Sequence, residues 1–114
     1  MLIYSVIVFA ITAVGGVLLA AKLLTGKLAS WPLSIAHAVL GATGLIMLVL
    51  TVLGGPAAGR ITAALALLVV TALGGFFLAS FHVRGAIAPK NVVVIHAGVA
   101  VAGFLTLLSF VLGI

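Results

Sequence analysis

The sequence predicts an all-α integral membrane protein: a four-helix bundle made of two helical hairpins arranged as parallel repeats. Three observations predict it. The chain of 114 residues is 67% hydrophobic and only 4% charged, with a mean hydropathy of +1.66. A soluble domain is about a quarter charged, so this chain could not cover its own surface in water. Four apolar runs fill most of the length, each long enough for the roughly 20 residues that a bilayer core demands. Finally, the second half repeats the first at a constant offset of 59 residues.

The runs predict helices over Leu2–Ala21, Leu33–Leu53, Ile61–Phe81 and Val92–Ile114. The first lacks a positive start and is too long for the apolar core of a signal peptide, so it reads as a retained helix. "KLLTGKLASWP", "GGPAAGR" and "HVRGAIAPKN" separate the runs, and each carries the glycine, proline or charge expected of helix ends and turns. Pro32 and Pro89 suit the openings of the second and fourth helices, where a missing N–H costs little. A β-barrel is excluded, because its strands alternate apolar and polar residues and these runs do not. The whole of 1–114 reads as one transmembrane domain, with repeat 1 over about 1–55 and repeat 2 over about 60–114.

Charge then orients the bundle. Lys22, Lys27, Arg84 and Lys90 flank the first and third loops, and only Arg60 lies on the other side. By the positive-inside rule, loops 22–31 and 82–91 face the cytoplasm and both termini face out of a bacterial inner membrane. Trp31 and Tyr4 fall at the inner and outer interfaces, where aromatic residues gather. Five scattered cations make no phosphate-tracking patch, so no nucleic-acid partner is expected. The partners implied are the lipid bilayer, a quinone or larger membrane complex, and a second copy of the chain.

Absences narrow the chemistry. Without cysteine there is no disulfide, thiol redox or thiolate metal site. Without Asp or Glu there is no carboxylate for general-base work, for Mg²⁺ or Ca²⁺, or for carrying protons within the membrane. Proton-coupled multidrug exporters of similar length and span count depend on such a carboxylate, so that reading is disfavoured. No independent catalysis is expected.

The repeat contains the most informative residues. It lays Thr12–Ala20, "TAVGGVLLA", over Thr71–Ala79, "TALGGFFLA", and also matches Gly26 with Gly85, His37-Ala38 with His96-Ala97, and Gly44 with Gly103. In an up-down-up-down bundle the second and fourth helices are diagonal, so His37 and His96 face each other if both point inward. Gly41, Gly44 and Leu48 share a face with His37; Ala100, Gly103 and Leu107 share one with His96. The histidines lie about 8 Å below the cytoplasmic end and the pairs Gly15-Gly16 and Gly74-Gly75 about 12 Å below it, at 1.5 Å per residue. Two histidine walls and two glycine walls would suit a flat macrocycle with axial histidines.

An ionisable group inside a span is a functional candidate. The leading expectation is one haem b held by His37 and His96 as metal ligands, with Gly15, Gly74, Gly75, Gly41, Gly44 and Gly103 lining its site. Two filled axial positions suit electron transfer. Zinc and copper usually take three or four protein ligands, so two histidines fall short. A chlorophyll needs one histidine per magnesium, so a pigment-binding protein stays open. So does a cofactor-free structural or accessory subunit whose histidines bond across the bundle. A small transporter or channel is weakened by the missing carboxylates. His82, matched by Leu23 in the first repeat, could bond a propionate, act as an axial ligand or reach the headgroups. Arg84 could pair with a propionate, while ordinary positive-inside topology and anionic lipid explain it as well. Thr12 and Thr71 are expected to bond their own helix backbones.

The arrangement resembles the membrane b-type cytochromes, in which histidines on neighbouring helices of a small bundle clamp haem edge-on to the membrane. It is also similar to a set of small bacterial four-span proteins with a His-plus-small-residue motif in helices 2 and 4. The matching residues are His37-Ala38 with Gly44, His96-Ala97 with Gly103, and "SFHVRG" (Ser80–Gly85). The resemblance implies haem b and electron transfer at His37 and His96. Diheme members carry four axial histidines; this chain has three, which excludes a second bis-histidine haem.

Overall fold

The computed structural model describes residues 1–114 and contains four α-helices and no strand. They are α1 (Leu2–Leu24), α2 (Trp31–Leu53), α3 (Gly59–Val83) and α4 (Lys90–Leu112). Each has 23 or 25 residues, or about 35 Å of helix, and the bundle is 43 Å along its longest axis. A hydrocarbon core is about 30 Å thick, so every helix is long and apolar enough to cross it. The chain is a multi-pass membrane protein whose apolar outer faces contact lipid.

The helices outrun the apolar runs where the chain becomes polar. α1 continues through Lys22, α3 through His82, and α2 and α4 start at Trp31 and Lys90. Backbone groups near the membrane need partners, and helical bonding supplies them while long polar side chains reach outward. Pro32 lies in the first turn of α2, and Pro89 caps α4.

Loops one and three close in the same way. The Lys27 and Gly26 amides donate to the Lys22 and Leu23 carbonyls at 3.0 and 3.1 Å; the Ala86 and Gly85 amides donate to those of Phe81 and His82 at 2.9 and 3.0 Å. This is the Schellman pairing. It needs a left-handed residue, and Gly26 and Gly85 supply it at φ +78° and +68°. Both glycines occupy equivalent places in the 59-residue repeat.

Neighbouring helices pack antiparallel around a ring, tightly within each hairpin and more thinly between hairpins; across the diagonal the backbones stay apart. The core comprises Val6, Phe9, Leu48, Ile61, Ala64, Leu68 and Leu107. All lie toward the end that holds the termini. Leu48 and Leu107, an equivalent pair, are completely enclosed. Toward the opposite end, which carries Lys22, Lys27, Arg84 and Lys90 and is called the basic end below, Val93 is the only buried helical residue beyond Thr12. The bundle is thus firmly packed at one end and loosely packed around its histidines.

Candidate functional site

His37 on α2 and His96 on α4 point across the bundle axis at each other. Their ring centres are 6.5 Å apart and the rings are inclined at 73°. The two imidazoles do not bond to each other. His37 instead uses Nδ1, which lies 3.0 Å from the Thr12 carbonyl oxygen of α1. A carbonyl only accepts, so Nδ1 carries the hydrogen and Nε2 keeps its lone pair. Neither Nε2 has a protein partner, and neither is sealed off from open space.

The glycine pairs make this approach possible. A Cβ on Gly16 would stand 3.0 Å from His37 Cε1, and one on Gly15 would stand 3.8 Å from His37 Nδ1. These residues follow Thr12 by one turn, so side chains there would screen its carbonyl from α2. The second hairpin matches: Cβ atoms on Gly74 and Gly75 would stand 3.4 Å from His96 Nδ1 and 3.3 Å from Cε1. His96 Nδ1 is enclosed beside the Thr71 backbone but does not complete the equivalent bond. Each glycine pair gives room to the imidazole of its own hairpin.

The small residues below the histidines also have occupants. Gly44 receives the Phe9 ring, with a Cβ there only 3.0 Å from it, and Gly103 receives Leu68 at 2.9 Å. Phe9 and Leu68 are themselves equivalent in the repeat. Gly41 faces the Thr12 methyl at 3.6 Å. These three glycines lie against α1 and α3 side chains. The Thr12 and Thr71 hydroxyls donate to Val8 and Leu67 carbonyls in their own helices at 2.8 and 2.9 Å, as expected.

His82 stands apart from the pair. Its ring stacks on Trp31 with centres 3.9 Å apart and planes 17° from parallel, and its Nδ1 is 3.1 Å from Ser34 Oγ. It joins the end of α3 to the start of α2, one turn from His37 toward the basic end. No three metal-ligating side chains come together, so His82 does not complete a three-ligand site with His37 and His96. Arg84 is exposed; its Nε donates to the Ser80 carbonyl at 3.1 Å and its guanidinium lies 4.8 Å from the Phe81 ring centre. It folds onto its own helix end and does not reach into the bundle.

Two features escaped sequence reasoning. One is the use of the Thr12 carbonyl, signalled by the Thr-x-x-Gly-Gly pattern at 12–16 and 71–75. The other is the Trp31–His82–Ser34 cluster, which joins residues of different hairpins and leaves no local signal. Trp31 is the only tryptophan. Replacing His82 with alanine is expected to shift its emission to the red and to cost about 1 kcal/mol of thermal stability. An unchanged emission spectrum would show that the stack is absent in solution.

Two imidazoles bound through Nε2 to opposite sides of one metal, at about 2 Å each, have ring centres about 6.3 Å apart. The observed 6.5 Å matches this spacing. A second Nδ1–H bonded to a backbone carbonyl is the usual support of a metal-ligating histidine, and His37 has it. A groove of about 420 Å³ between α3 and α4, bordered by Phe77, Gly74 and Ile95, leads to His96 from the lipid side. The centre-to-centre spacing is that of two imidazoles sharing one metal. Comparison with protein-family models, curated proteins and solved structures gives no match.

Proposed function

We propose that the chain is a b-type cytochrome of a bacterial inner membrane, holding one low-spin haem b between His37 and His96 and passing single electrons to or from a partner. The observation that carries this reading is the facing pair of imidazoles at 6.5 Å with unpartnered Nε2 atoms. His37 and His96 would hold the haem, and bound haem would supply reversible one-electron chemistry.

The chain's own residues do the rest. The Thr12 carbonyl fixes the tautomer and tilt of His37. Each hairpin contributes one ligand, and the thinner seam between hairpins lies between them. Phe9, Leu48, Leu68 and Leu107 close the bundle on the side of the termini and keep water from entering there. The four cations of the basic end, with no acidic residue in the chain to neutralise them, favour anionic groups on that side. This end faces the cytoplasm by the positive-inside rule, and an electron partner would approach there or from within the membrane.

An absorption spectrum of the detergent-purified protein, oxidised and then dithionite-reduced, tests the reading. A sharp Soret band that moves on reduction, with resolved α and β bands, is expected. A colourless protein from haem-supplemented cells would overturn it. The second reading, an accessory subunit without cofactor, is favoured by the His37–Thr12 bond, which ties α2 to α1 with no help from a ligand.

Orientation has its own test, because the chain has no cysteine. Lys27→Cys is expected to resist an impermeant thiol reagent in intact spheroplasts, and Gly55→Cys to react. The reverse pattern would place the basic end outside.

A further inference from the structure

We infer that Trp31, Ser34 and His82 form a latch between the two hairpins, and that a proton releases it. The α2–α3 seam is the thinnest of the four helix contacts. Of the side-chain hydrogen bonds between helices, His37 to Thr12 stays within the first hairpin, and Arg60 to Ser109 and Ile114 within the second. The bond between Ser34 Oγ and His82 Nδ1, at 3.1 Å, alone joins one hairpin to the other. The Trp31 ring lies on the same imidazole, with centres 3.9 Å apart. The thinnest seam is thus fastened at the basic end through one side chain, and that side chain can take up a proton.

The neutral ring fits this place, with Nδ1 bonded to Ser34 and Nε2 enclosed. A protonated ring does not. Both nitrogens become donors, so Nε2 holds an enclosed hydrogen with no acceptor, and the ring gains a charge. No side-chain carboxylate balances that charge, because the chain has no Asp or Glu. The titratable groups toward this end are Lys22 on α1, Lys27 in the first loop, His37 on α2, Arg84 at the end of α3, and Lys90 and His96 on α4. Each is cationic or neutral. The Trp31 face attracts a cation, but by less than it costs to keep an ion from water. The imidazolium therefore leaves the stack for the headgroup region, and the tie between the hairpins goes with it.

The other seam acts as the hinge. The repeat places Leu23, Lys90 and Val93 where His82, Trp31 and Ser34 stand. No imidazole is present there, and Val93 is buried. Acid thus parts α2 from α3 while α1 and α4 stay together. Ser34 precedes His37 by one turn of α2, so the opening gives access to the histidine pair from the basic end. The latch does not depend on the cytochrome reading.

The chain has no cysteine, so single pairs of spin labels can be introduced. Labels on Ile35→Cys and Ala79→Cys span the α2–α3 seam, and labels on Ala21→Cys and Val94→Cys span the α1–α4 seam; all four positions are exposed. Distances are measured in the purified full-length protein at pH 8 and pH 5, on either side of ordinary histidine titration. A longer α2–α3 distance is expected at pH 5, its ratio to the shorter one rising about tenfold or more. The α1–α4 distance should stay constant. His82→Phe retains a ring against Trp31 and takes no proton, so it should abolish the change even though His37 and His96 still titrate. Ser34→Ala removes the bond and should raise the share of the longer distance already at pH 8. A wild-type α2–α3 distance that ignores pH overturns the inference. So does a widening that persists in His82→Phe, which would assign it to the histidine pair. Both results leave the haem spectrum to decide the cytochrome reading separately.

Discussion

Under the proposed cytochrome reading, replacing His37 or His96 with alanine is expected to remove the six-coordinate spectrum and most of the bound haem. Loss of a group that only supports a metal ligand costs about 10- to 100-fold in affinity, and loss of the ligand itself costs at least that much. Haem retained after purification should therefore fall by at least about tenfold in either variant. The variants are not equivalent. His37→Ala also frees the Thr12 carbonyl, which retains only its own helix bond. His96→Ala breaks no corresponding bond, because Nδ1 of His96 has no completed partner. His37→Ala should thus lose about 1 kcal/mol more stability in the haem-free protein. Added imidazole should restore the six-coordinate spectrum in either variant by entering the space the side chain leaves. Retention of a wild-type spectrum by both variants would exclude this pair as axial ligands. Loss of stability in both, with no spectrum to lose even in the wild type, would favour the cofactor-free bundle.

The fold was largely legible because a membrane makes few demands and enforces them strongly. Backbone groups in hydrocarbon must bond internally, so four long apolar runs could hardly be anything but four helices. The loop glycines were equally clear. A positive φ at Gly26 and Gly85 is a local requirement, and a local requirement appears as a residue type at one position. The facing of His37 and His96 also followed, since equal depth on diagonal helices leaves few alternatives.

The detail of the site was less legible, and the glycines show why. From sequence, a missing side chain marks a close approach and says nothing about what approaches. Gly15-Gly16 and Gly74-Gly75 could border a ligand or a packed neighbour, and the structure sets the imidazole of their own hairpin against them. Gly44 and Gly103 could mark helix contact or space for a ligand, and the structure sets Phe9 and Leu68 against them. The Trp31–His82 stack was hidden for a different reason. It depends on the lateral rotation of α3 against α2 across the thinner seam, which hydrophobic patterning cannot specify when every face is apolar.

Two glycines five residues apart on α4 should respond to the same substitution with opposite signs. Gly98 faces open space, with nothing within 4 Å of an added Cβ. Gly98→Ala removes backbone freedom from the unfolded chain without a clash, and a gain of about 0.5–1 kcal/mol is expected. Gly103 is buried, and its added Cβ would meet Leu68 Cγ at 2.9 Å and Leu67 Cβ at 3.2 Å. Leu68 is in the core and cannot turn aside freely; Leu67 Cβ is fixed to its backbone. Relief therefore requires α3 and α4 to separate. Overpacking of this kind costs about 1–3 kcal/mol, against about 1 kcal/mol gained in helix propensity. Gly103→Ala should be net destabilising, and Gly103→Val more so, because membrane helices are held by close packing, with no hydrophobic drive between them. Thermal unfolding in detergent, followed by circular dichroism, reads both signs. A Gly103→Ala protein as stable as wild type would mean that α3 and α4 do not meet at this glycine, and the register that places His96 opposite His37 would have to be reconsidered.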